Sequence, residues 1–146
     1  MALIPFGLSA GDRVLVDTNP LIYVLEGHPL AGRFVDLLDA IQVGKLIGVL
    51  TPITVAEVLA GPLRVGDVAL MERYRLTLGD QGPFQTLMLD AEMAVLAARL
   101  RIQHRLKLPD AFQLAAAVLS GCDALITHDR DFSGVSAIPI VGLDAG

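Results

Sequence analysis

Strand-length apolar runs alternate with helix-length segments along the chain, and this alternation constrains the fold more than any other feature. Arg13–Val16, Leu46–Leu50, Phe84–Leu89 and Ala124–Thr127 are runs of four to six residues. Between them, apolar side chains recur at helical spacing. Phe34, Leu37, Leu38 and Ile41 do so within Leu30–Val43, and Ala111, Leu114, Ala115 and Val118 do so after Pro109. A parallel return between strands needs a crossover segment, usually a helix. The pattern therefore predicts an α/β class with a mainly parallel sheet.

Turn and cap residues punctuate the same elements. Pro20 suits a first helical position, with Thr18 or Asn19 before it as the cap. Gly27 with Pro29 stops that helix, and Gly44 closes the next. Thr51-Pro52 opens a helix that Gly61-Pro62 is expected to end. Val65–Leu78 reads as helix and Asp80–Pro83 as a loop. Asp90 caps Ala91–His104, Gly121 ends the helix begun at Pro109, and Ile138–Gly142 is a last strand. Pro139 places that strand at a sheet edge.

The chain has 146 residues, which predicts a single domain over 1–146. With 53% apolar residues it buries enough surface to offset the entropy of ordering, which excludes disorder. Charge-free runs such as Leu46–Ala56 and Phe132–Leu143 fall short of the ~20 apolar residues that cross a bilayer. The apolar start lacks a basic region and is interrupted by Pro5, so it does not read as a signal peptide. The lone cysteine, Cys122, excludes an intrachain disulfide framework and a Cys-based zinc site. These features together predict a cytoplasmic protein. The net charge of 11 − 16 = −5 is unlike the basic footprint of most nucleic-acid binders. Carboxylates gathered on divalent cations would account for much of that excess.

In open parallel sheets, ligands bind outside the carboxyl ends of the strands. Four acidic residues lie at such positions. Asp17 directly follows Val14–Val16 and is spare as a cap, because Asn19-Pro20 supplies one. Glu57 interrupts the apolar stretch Ile53–Leu59, which leaves it no polar face to belong to. Asp110 is one turn before Leu114 and faces the core-directed stripe. Asp129 follows the strand ending at Thr127, with Asp131 two residues on as its competitor. Position favours Asp129, and Asp131 is expected to serve the turn as a cap while Phe132 returns to the core. Carboxylate-only clusters select hard cations, Mg²⁺ or Mn²⁺. Such a site suits metal-assisted hydrolysis of phosphodiesters.

At these residues the sequence resembles the PIN-domain ribonucleases, and more narrowly the VapC-type toxins of toxin–antitoxin pairs. The matching pieces are Val14–Asn19, Thr54–Leu59, Leu108–Ala116 and Ala124–Phe132. The resemblance implies a three-layer α/β/α sandwich and an endoribonuclease dependent on Mg²⁺, with Mn²⁺ as a substitute. It implies Asp17, Glu57, Asp110 and Asp129 as catalytic residues, with Asp17 and Asp110 as metal contacts. Thr18, Asn19 and Thr127 match polar positions that orient carboxylates or water. An RNA substrate and a cognate antitoxin are the implied partners. A homodimer is compatible with the apolar composition, and no membrane is involved.

Other residues support no rival chemistry as well. Arg99, Arg101, Arg105 and Lys107 form a basic stretch near Asp110, read as a solvated helix face or a phosphate-contacting edge. His28, His104 and His128 lack metal-ligand spacing and are expected at the surface. No Ser–His–Asp or Cys–His set suggests a covalent nucleophile. Two alternatives stay open. A haloacid dehalogenase-like phosphatase also begins with an Asp after an apolar strand, but Asn19 stands where its second Asp belongs. A non-catalytic PIN-like module would bind RNA or protein without cleaving.

Overall fold

The computed structural model describes residues 3–145; Met1, Ala2 and Gly146, the ends of the 1–146 range, lie outside the described residues. Five strands form one parallel sheet: β1 (Arg13–Val16), β2 (Ile47–Leu50), β3 (Gln85–Thr86), β4 (Ala124–Ile126) and β5 (Ile140–Val141). Their spatial order is β3-β2-β1-β4-β5. Leu15 pairs with Leu125 on one side and with Val49 on the other. The order reverses direction at β1, so the crevice at its carboxyl end, beside β4, is the topological switch point.

Side-chain alternation along β1 and β4 divides the core. Val14, Val16, Ala124 and Ile126 face one apolar cluster with Phe34, Leu37, Ile41, Val58 and Leu78. These come from α2 (Gly32–Gln42), α3 (Pro52–Arg64) and α4 (Val68–Leu78), with α1 (Thr18–Glu26) on the same side. Leu15 and Leu125 face the opposite cluster, built on α5 (Ala91–His104) and α6 (Leu108–Leu119). The result is the expected α/β/α sandwich, with every strand pair parallel. Among the described residues no helix is long and apolar enough to cross a membrane.

Several local expectations are met. Asp90 caps α5 by accepting from the Met93 amide at 2.9 Å. Gly27 ends α1 at φ 64°, a left-handed conformation that glycine adopts without penalty. Pro139 precedes the edge strand β5 and its carbonyl accepts from the Leu125 amide.

Others are corrected. Gly61-Pro62 does not stop α3, which runs on to Arg64 with Pro62 inside it. Proline deprives the Val58 carbonyl of its usual donor, but so near the end this removes a single bond. Burial of Pro62 and Val58 offsets that loss, and the helix closes when the Val65 and Asp67 amides donate to the Pro62 carbonyl. The helix expected from Val65 begins instead at Val68, where Asp67 caps it by accepting from the Leu70 amide. The Phe84–Leu89 run yields only the two-residue β3, which pairs with β2 alone.

Candidate active site

Asp17 extends β1 by one residue and occupies the N-cap position of α1, yet its side chain makes no capping bond. Its oxygens point elsewhere. Oδ2 accepts from the Thr127 hydroxyl at 2.8 Å, and Oδ1 from Nε2 of Gln113 at 3.2 Å. The residue is only 5% exposed. Burial pushes its carboxyl above the usual range; hydrogen bonds from Thr127, the Thr18 backbone and Gln113 oppose this, and the Glu57 charge adds to it.

Glu57 lies on α3, exposed, with Oε1 accepting from the Thr18 hydroxyl at 2.7 Å. Asp110 occupies the first turn of α6, half-buried. Its carboxyl is pushed up to about 7, first by burial and then by the charges of Asp17, Asp129, Asp131 and Glu57. All four expected carboxylates line one cavity of about 260 Å³, together with Thr18, Asn19, Lys107 and Pro109. It opens at the carboxyl ends of β1 and β4. Larger hollows exist around Phe6 and Arg33 and between α3 and α4, but each gathers a single carboxylate.

The β4 exit corrects one expectation. Asp129, not Asp131, serves the turn: its Oδ1 accepts from the Asp131 amide at 2.9 Å and starts the 3₁₀ turn Arg130–Phe132. The chain bends at once after Thr127, because the Asp129 amide donates back to the Thr127 hydroxyl at 3.0 Å. Strand alternation therefore ends before it reaches Asp131. Phe132 is fully buried as expected, and Asp131 is exposed. Even so, carboxylate oxygens of Asp110, Asp129 and Asp131 lie within 4.8 Å of one another. Both candidates for the fourth acidic position thus reach the same space.

The remaining polar residues sort themselves. Of the basic stretch, Lys107 lines the cavity, while Arg99, Arg101 and Arg105 are exposed without lining it. His28 is at the surface, as expected. His128 is not: it is half-buried, with Nδ1 3.1 Å from the Tyr23 hydroxyl and its ring edge-on to Tyr23 and Phe34.

Sequence reasoning missed Thr51, Thr54 and Gln113. Thr51 follows β2, Thr54 sits in the first turn of α3, and Gln113 lies one turn after Asp110 on α6. All three are buried. The available signal was Gln113 itself, a polar residue enclosed by Ala111, Leu114, Ala115 and Ala116 on a helix buried on most sides.

Comparison with known proteins agrees with this architecture. The family model for the PIN domain matches residues 14–138. A toxin–antitoxin complex from Klebsiella pneumoniae contains a chain 30% identical, with a TM-score of 0.68, covering 86% of this chain and 94% of that one. VapBC2 from Rickettsia felis, bound to a DNA fragment from its promoter, is 14% identical with a TM-score of 0.71, covering 88% and 96%. VapC20 from Mycobacterium tuberculosis, described as a sarcin–ricin loop cleaving toxin, is 15% identical with a TM-score of 0.67, covering 86% and 98%. Among curated proteins none matches the chain.

Proposed function

The chain belongs to the PIN domain family, and from that premise we propose that it is a Mg²⁺-dependent endoribonuclease, the toxin of a VapC-type toxin–antitoxin pair. The observation that carries the reading is the convergence of Asp17, Glu57, Asp110 and Asp129 on one cavity. The donor set fits a hard divalent cation. It is all carboxylate, Asp110 and Asp129 bring oxygens within 4.8 Å of each other and of Asp131, and Asp110 is pushed up to about 7 by burial and by the like charges around it, which a cation would neutralise.

Asp17 and Asp110 are the proposed ligands, with Asp129 beside them. A bound Mg²⁺, or Mn²⁺ in its place, supplies Lewis acidity, neutralising phosphate charge and making water nucleophilic at neutral pH. The chain's own groups do the rest. Thr127 and Gln113 fix the Asp17 carboxylate, and Thr18 fixes Glu57. Glu57, with its second oxygen free of that bond, is positioned to accept a proton from attacking water. Lys107 offers an ammonium at the rim for a phosphate of the RNA.

The antitoxin partner draws support from the Klebsiella complex, whose matched chain this one spans almost completely. Purified protein incubated with looped or single-stranded RNA tests the reading. Cleavage with Mg²⁺ or Mn²⁺ that stops in EDTA is expected; full cleavage in chelator would exclude it. Co-expression with the product of the adjacent gene is expected to give a stable complex that suppresses cleavage.

A further inference from the structure

Among the described residues, the buried polar side chains are Asp17, Thr18, Thr51, Thr54, Gln113 and Thr127. Five of the six form one connected network, and Gln113 is its hub. Its Oε1 accepts from the Thr51 hydroxyl at 2.5 Å. Its Nε2 donates to the Thr54 hydroxyl at 2.6 Å and to Oδ1 of Asp17 at 3.2 Å. The carboxamide sits with Nε2 toward Oδ1 of Asp17 and Oε1 toward the Thr51 hydroxyl. The reverse orientation would set Oε1 against Oδ1. No described buried side-chain polar atom lacks a partner, so the network is complete as built.

Burying a glutamine on an otherwise apolar helix is costly unless every polar atom is satisfied. The carboxamide joins three elements to one carboxylate: the end of β2 through Thr51, the first turn of α3 through Thr54, and the end of β1 through Asp17.

We propose that Gln113 is a positioning residue for the cation site, locking the Asp17 carboxylate in the orientation that divalent metal binding requires. Gln113 lies away from the cavity and acts only through Asp17. This rests on the functional reading given above. Partners that orient metal ligands typically contribute 10- to 100-fold to metal affinity.

The test uses Mn²⁺ alone as the probe, titrated into the full chain by calorimetry or electron paramagnetic resonance, alongside the thermal midpoint in metal-free buffer. Gln113→Met keeps the length and removes both donors. It is expected to remain folded and to bind Mn²⁺ about 10-fold more weakly. A purely structural role would lower the midpoint and leave the affinity of the folded protein unchanged, and that result overturns the proposal. If Gln113→Met does not fold, Thr54→Val decides on the same readings. It frees one side of the carboxamide without touching Asp17, and unchanged Mn²⁺ affinity in it also overturns the proposal. Asp17→Asn separates the two levels of argument. If it loses Mn²⁺ binding while Gln113→Met matches the parent chain, only the role of Gln113 fails. If the parent chain binds no Mn²⁺, the functional reading fails and this inference fails with it.

Discussion

Asp17 and Asp110 face one cavity from two walls that treat a carboxylate differently. On the inner wall, at the end of β1, Asp17 is buried and each of its oxygens accepts a bond from a buried donor. On the outer wall, at the start of α6, Asp110 is half-exposed and surrounded by the charges of Asp17, Asp129, Asp131 and Glu57. Burial raises the proton affinity of both. Donors hold the first in check, while like charges push the second further, to about 7. The inner wall is therefore held by hydrogen bonds of the fold, whereas the outer wall gathers like charges. On the function proposed above, this division suits a site that keeps a fixed geometry and responds to a cation.

Removing either carboxylate breaks the cavity, and here the walls are expected to behave alike. Asp17→Ala and Asp110→Ala should each lower RNA cleavage by about 100-fold or more, since each deletes a proposed ligand. Initial rates in saturating Mg²⁺ measure this; substantial activity in either variant removes that residue from the site.

Stability should separate the walls. Asp17→Ala strands the Gln113 amide and the Thr127 hydroxyl in the interior, at a cost of about 1–3 kcal/mol. Asp110→Ala relieves repulsion and should raise the metal-free melting temperature. A fall in both variants would show that Asp110 is held by its surroundings as Asp17 is.

Acidity sharpens the contrast. Asp110 holds its proton up to about pH 7 in the folded chain, against 3.8 as the ordinary value. Between those limits the folded state binds more protons than the unfolded state, so this residue's contribution to stability declines as pH rises. Metal-free melting temperature compared between the parent chain and Asp110→Asn from pH 4 to pH 8 should show it. The difference should grow in favour of the variant across that range, and Mg²⁺ should shrink it at pH 8.

The 3₁₀ turn and the rim carry smaller effects. Asp129→Ala removes a cap as well as a cavity carboxylate, and should cost about 0.5–2 kcal/mol in addition to activity. Asp131→Ala should leave the melting temperature nearly unchanged. Equal losses of stability in the two would contradict the capping geometry. Lys107→Ala should weaken RNA binding and reduce its salt dependence by about one phosphate contact, with no change in melting temperature.

Features decided within a few residues were legible in the sequence. The strand before Asp17, the Asp90 cap and the glycine after α1 follow from local chemistry. The four cavity carboxylates were legible because strand exits and helix starts converge on one edge of a parallel sheet. What depended on distant packing was not. Pro62 stays helical because burial outweighs one missing bond. Asp129 becomes the cap because the Thr127 hydroxyl turns the chain early. Gln113 was overlooked because its partners are 59 to 96 residues away, at Thr54, Thr51 and Asp17.

Those separations also have a meaning in time. The bond between Asp17 and Thr127 spans 110 residues. At a synthesis rate of about 5–20 residues per second, the two are made roughly 5–20 s apart. Throughout that interval no nascent fragment contains the inner wall, however much of α1 to α4 has already collapsed onto β1 and β2. The inner wall is thus among the last parts of the cavity to form, waiting on Thr127 however early Asp17 is made.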